Sequence, residues 1–122
     1  MDDAPTGGGP AAPTYLIVLR HVLVAQDIAM AVAEHQPSAA VILARDGTEA
    51  LARLAGVGRL TVAFVGQGPV GYRSSALGRA VAERGGRVVL MGQEAEAAGE
   101  ASGFAVLARP FTTSDVFQHL EG

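Results

Sequence analysis

Cysteine is absent from this 122-residue sequence, and so is tryptophan. Without cysteine there is no disulfide and no thiolate metal site, which fits a reducing compartment. Aromatic residues make up only 5%, so the core has to be built from Ala, Val and Leu. No apolar run approaches the ~20 residues that a membrane span requires. The N-terminus lacks a basic stretch followed by an apolar one, so no secretory signal is visible and a cytoplasmic location is expected. A strong basic field is also missing. The net charge is −3, which draws the chain neither to nucleic acid nor to an anionic membrane.

What is present points to a packed domain. Hydrophobic residues make up 49% and charged residues 17%. A chain of this length suggests one domain and buries roughly two-thirds of its unfolded surface on folding. Residues 1–14, MDDAPTGGGPAAPT, are mostly Pro, Gly and Ala and read as a flexible tail or linker. The domain proper is expected over 15–122.

Five short apolar runs follow: 15–19, 39–44, 60–65, 87–91 and 104–108. Helical patterns separate them. Val24, Ile28, Ala31, Val32 and His35 share a first face, with Gln26, Asp27, Met30 and Glu34 opposite. Ala50, Leu51, Leu54 and Ala55 face inward on a second helix, which Asp46 caps, with Glu49 and Arg53 paired outward. A third helix over 73–85 buries Leu77, Ala80, Val81 and Arg84, and Gly85-Gly86 stop it. The segment 93–102 is Ala-rich and broken by Gly99, a weak helix. After Pro110, Thr112 and Asp115 form a capping box for a last helix that buries Val116, Phe117 and Leu120. Strands that are apolar throughout are covered on both faces. The predicted fold is therefore α/β, a doubly wound five-stranded parallel sheet of flavodoxin-like (βα)5 type with strand order 2-1-3-4-5.

Gly66, Gly68 and Gly71 have the G-x-G-x-x-G spacing of a dinucleotide-binding loop between a strand and a helix. The acid expected to bind the ribose, about 20 residues further on, is replaced by Met91-Gly92-Gln93. The loop also follows the third strand, which leaves two preceding units unused. The competing reading is a tight strand-to-helix turn.

From Tyr15 to Leu120 the sequence resembles a response-regulator receiver domain. The stretches that carry the likeness are YLIV (15–18), ARDGTEAL (44–51), VVLMG (88–92) and LARPF (107–111). The last is similar to the family's closing Lys-Pro-Phe motif, in which the peptide before proline is commonly cis. The resemblance implies aspartyl phosphorylation by a histidine kinase, with Mg²⁺ held by an acidic pair, a hydroxyl that senses the phosphoryl group and a Lys that contacts it. Those positions are altered here. Leu19 and Arg20 replace the acidic pair, Val65 or Gly66 the acceptor, Met91 the hydroxyl and Arg109 the Lys. Mg²⁺ needs hard oxygen ligands, and neither Val65 nor Gly66 can be phosphorylated. The expectation is a pseudo-receiver with no catalytic residues, no bound metal and no cofactor.

Such a module would serve as a phosphorylation-independent adaptor in two-component-type signalling. Its partner protein, whether a kinase, a regulator or a second copy of itself, would bind roughly at 93–121. The alternative is a nucleotide-binding module, for example for a cyclic dinucleotide, with Arg20, Arg59, Tyr72, Arg73 and Arg109 contacting phosphate or base. Arg20 and Arg109 would share an anion, or both would point to solvent, or Asp27 or Asp46 would neutralise one of them. His21, His35 and His119 lack metal-ligand spacing. Ser74 and Ser75 lack a His–Asp partnership, so an enzyme is not expected.

Overall fold

The computed structural model describes residues 12–121. Five parallel strands form one sheet in the order β2-β1-β3-β4-β5. They are β1 (Thr14–Val18), β2 (Ala40–Ala44), β3 (Val62–Val65), β4 (Arg87–Leu90) and β5 (Ala105–Val106). The expected fold class and strand order are therefore found. Most of the tail at 1–14 lies outside the described residues. Its end is corrected: Thr14 belongs to β1, and Pro13 O accepts from Ala40 N at 3.0 Å.

The alternation of side chains along each strand builds two cores. On one face, Tyr15, Ile17, Phe64, Val89 and Met91 pack with Ile28, Val32, Val116 and Leu120. The last four come from α1 (Val22–His35) and α6 (Thr113–Glu121). On the other face, Leu16, Val18, Ala63, Val65 and Leu90 pack with Ala50, Leu54, Tyr72, Leu77, Val81 and Ala95. These six come from α2 (Gly47–Leu54), α3 (Pro69–Arg73), α4 (Ala76–Glu83) and α5 (Gln93–Ala98). No described residue that is polar or charged is fully buried.

Local chemistry sets several boundaries. Asp46 caps α2 by accepting from Glu49 N at 2.9 Å. Thr112 and Asp115 bond reciprocally, at 2.8 and 3.2 Å. The Arg109–Pro110 peptide is cis. The expected helix over 73–85 is two helices. Pro69 starts α3 early, and Ser75 then caps α4 by accepting from Gly78 N at 3.0 Å. Gly85, at φ 73°, follows α4. Arg84 reaches back to the carbonyls of Leu54, Val57 and Ala80 at 3.1, 2.8 and 2.9 Å. That explains its inward position: it supplies donors that two helix ends lack. Leu51 and Ala55 are exposed rather than inward, because Ala50 and Leu54 alone fill the narrow contact of the short α2. The fifth apolar run pairs over only two of its five residues. No helix among the described residues is long and apolar enough to cross a membrane.

Candidate functional site

Parallel strands deliver their carboxyl ends to one edge, and the strand order reverses at β1. Ligands of such sheets bind at this reversal. Val18 pairs with Val65, so the residues that follow them meet there. Gly66 N donates to Val18 O at 2.9 Å, and Leu19 N donates to Ala44 O at 3.0 Å. A hollow of about 190 Å³ opens beside them. It is lined by Arg20, Arg45, Asp46, Gly66 and Gln67, with Leu77 among its apolar walls.

The floor of this site is filled. A Cβ placed on Gly66 would lie 2.7 Å from Leu19 Cδ2 and 3.5 Å from Val18 O. Leu19 therefore occupies the room that an acceptor side chain at 66 would need. Val65 turns to the face covered by α2 and α4, where it is buried and lines the hollow beside Val18 and Leu77. Met91 is also buried, in the core shared with α1 and α6. Its backbone N donates to Val65 O at 2.9 Å, which places its Cα at the site and its thioether in the core.

The charged residues expected here separate. Arg109 is held by Glu96, with Nε to Oε2 at 2.8 Å, Nη2 to Oε1 at 3.1 Å and backbone N to Oε2 at 3.0 Å. This bidentate pair corrects the expectation that Arg109 shares an anion with Arg20 or is neutralised by Asp27 or Asp46. The Arg109 side-chain bonds, then its backbone bond, hold the Glu96 carboxyl below its ordinary range. Arg109 is correspondingly raised. Glu96 escaped sequence reasoning because it lies 13 positions from Arg109, where no local periodicity links them.

The nucleotide-binding set is not assembled. Arg59 precedes β3 and so lies toward the amino edge, while Arg20 follows β1 at the carboxyl edge. Tyr72 is 4% exposed and meets Phe104 edge-on at 5.6 Å, so it offers no open face to a base. Burial pushes its phenol up to about 12. Arg73 lies over the Phe104 ring at 5.0 Å and donates to Ser102 O at 2.8 Å. Arg20 alone of the five lines the hollow, joined by Arg45, which sequence reasoning had not singled out. Arg45 is already engaged with Glu49 at 3.5 Å.

The glycine motif has a steric explanation. Gly66 admits Leu19. A Cβ on Gly68 would lie 2.9 Å from Glu94 Oε1, so this glycine admits Glu94. The chain's own carboxylate thus stands where a dinucleotide would bring its phosphates, and like charges repel. Gly71, which has only Gln67 Nε2 nearby at 3.6 Å, is under no such constraint.

No family model matches the sequence, and no curated protein matches it. Solved structures do. A response regulator from Thermotoga maritima superposes with a TM-score of 0.67 at 17% identity, over 91% of this chain and 96% of that one. The chain has the receiver fold. The chemotaxis response regulator CheY4 of Vibrio cholerae agrees, with a TM-score of 0.61 at 20% identity, over 91% of this chain and 98% of that one.

The receiver fold implies a Mg²⁺ site at this edge, and the residues present do not fit one. A hard cation needs several oxygen ligands. The hollow contains one carboxylate, Asp46, which already accepts from Glu49 N, and two guanidinium side chains. Among the described residues no cluster of three His, Cys, Asp or Glu could hold a metal.

Proposed function

We propose that this chain is a signalling module of two-component type that works without aspartyl phosphorylation. The contact of Leu19 with Gly66 carries the reading. Phosphoryl transfer to a receiver needs an acceptor carboxylate, a cation to screen the incoming charge and room for both. Here the acceptor position is a valine or a glycine, the neighbouring volume holds a leucine, and Arg20 places a positive charge where a cation would bind.

In this reading the protein acts by contact with another protein and performs no catalysis. The segment 93–121 is the proposed partner surface. Its first helix, α5, is six residues long, too short to be stable by itself. Glu96 ties it to Arg109 in the loop before α6. A partner that competes for either charge would release α5 and reorder the segment.

The test is incubation with acetyl phosphate, or with beryllofluoride and Mg²⁺, while backbone amide NMR shifts are recorded. No change is expected at residues 65–67 or 91–93. Saturable shifts there, or an acyl phosphate found by mass spectrometry, would refute the reading. A kinase or regulator of the same pathway should instead shift amides within 93–121.

A further inference from the structure

The edge strand β2 is entirely apolar over its five residues, Ala40-Val41-Ile42-Leu43-Ala44. Exposed sheet edges are ordinarily protected by lysine, proline, a bulge or a covering element. β2 contains no charge and no proline, and its register with β1 runs unbroken from Ala40 to Ala44. Leu43 is 40% exposed. An open trough of about 530 Å³, lined by Val41, Ile42, Leu43 and Arg53, follows the edge. A second hollow of about 200 Å³ sets Val22, itself 55% exposed, beside Leu43. The opposite edge, β5, is only two residues long.

Pairing with β1 sorts the backbone groups of β2. Ala40 N donates to Pro13 O, and Ala44 O accepts from Leu19 N, both at 3.0 Å. Along a strand, residues that bond to one neighbour alternate with residues that face the other side. Ala40, Ile42 and Ala44 therefore bond to β1, and Val41 and Leu43 turn their N–H and C=O groups to the open edge. The next outward donor, Arg45 N, is already taken by Glu49 Oε1 at 2.7 Å. Among the described residues, the open ladder is thus confined to Val41 and Leu43.

We infer that β2 pairs, antiparallel, with β2 of a second copy of this chain, about a two-fold axis at Ile42. In that register Val41 of each copy faces Leu43 of the other. Each of these pairs exchanges both N–H···O=C bonds, and Ile42 meets Ile42 as the close pair between them. The strand suits an isologous contact, in which one surface must complement itself. Alanine stands at each end, and larger apolar side chains stand between. Beyond the ends, Arg45 faces Ala39 and Asp46 faces Ser38, so no like charges oppose. Arg53, beside the trough, is already paired with Glu49 at 3.3 Å. The result is one sheet continuous through both copies. This surface is distinct from 93–121 and does not depend on the loss of phosphorylation.

Sedimentation velocity over a concentration series tests the proposal on the full chain. The protein should pass from monomer to dimer as concentration rises, with amide exchange at Val41 and Leu43 slowing over the same range. Leu43→Pro removes one edge donor and leaves the ladder to β1 intact, since proline is tolerated where its nitrogen faces outward. Leu43→Lys keeps the backbone donor and adds an edge charge. Each should weaken association by about tenfold or more, with circular dichroism like that of the parent. A parent chain that stays monomeric throughout overturns the proposal. So does a dimer that survives both substitutions, or one whose added protection falls in 93–121.

Discussion

Leu19 Cδ2 stands 2.7 Å from the point where a Cβ on Gly66 would lie. The two residues follow adjacent strands whose last residues, Val18 and Val65, are paired. Each has its identity because of the other. A leucine at 19 takes this position because 66 has no side chain, and it fills the space that the glycine leaves. The two residues are packed directly against one another.

This packing makes the two positions energetically coupled. Gly66→Ala forces Leu19 to move and should cost about 1 kcal/mol. Because the clash is with the end of a flexible side chain, the fold survives. In Leu19→Ala the new methyl at 66 meets no such obstacle. Urea unfolding of the two single variants and the double should therefore be non-additive by about 0.5 kcal/mol or more. Strict additivity would mean that the contact does not constrain Gly66.

On the proposed reading, an acid placed at 66 should not by itself bring phosphorylation. Gly66→Asp should remain unlabelled after treatment with acetyl phosphate and Mg²⁺, because Leu19 and Arg20 supply no ligand for the cation. Radiolabel or mass spectrometry reads the outcome directly. Labelling of G66D comparable to an active receiver would show that the neighbouring substitutions are tolerated, and would remove the basis for calling the site inactive.

The sheet was legible in the sequence because five continuous apolar runs leave few other arrangements for a chain of this length. Their edges were less legible. Residues 104–108 are apolar throughout, yet only Ala105 and Val106 pair, since β5 is an edge beside the short α5. The break between α3 and α4 had a signal in Ser74-Ser75, where a hydroxyl can cap a new helix, but the longer periodic pattern masked it. The site was half legible. The resemblance to receiver domains singled out Leu19, Arg20, Val65 and Gly66, which lie where β1 and β3 end side by side. It does not predict which side chains turn away. Tyr72 and Met91 went into the cores, and Arg109 found Glu96, through contacts that no local spacing encodes.

Asp46 lines the hollow, yet its bond to Glu49 N marks it as a helix cap. Asp46→Ala should lower stability by about 1 kcal/mol, and Asp46→Asn, an equally good cap, should be nearly neutral. Chemical denaturation of the two variants distinguishes capping from a need for charge. An equal loss in both would assign the contribution to the carboxylate's charge.

The Glu96–Arg109 pair predicts an acid response. The folded pKa of Glu96 is depressed, chiefly by the side-chain hydrogen bonds from Arg109. Its contribution is therefore complete above the ordinary carboxyl pKa and fades as pH falls through the lower folded value. Arg109 is largely exposed and Glu96 is only partly buried, so solvent screens the pair and global stability should change little. The local effect is larger. Amide protection factors in α5 should fall several-fold on acidification, and Glu96→Gln should produce the same fall at neutral pH. Protection in α5 that is indifferent to both would remove the pair as the tie that holds this helix.

The tyrosines predict the alkaline limit. Burial raises Tyr72 to about 12 and also raises Tyr15, both from 10.0. A folded pKa above the unfolded one means that the contribution is fully present below the unfolded value and is lost as pH rises through the folded one. Stability should thus decline from about pH 10 toward 12, the interval between the two Tyr72 values. Phenolate absorbance should appear together with the loss of far-ultraviolet circular dichroism, as one cooperative step. Tyr72→Phe should shift that step to higher pH, because one of the two groups driving it is gone. Half of the phenolate signal developing near pH 10, the ordinary tyrosine value, with the fold intact would show that one ring is solvated, and its loss in Tyr72→Phe would show that the Tyr72–Phe104 contact is open.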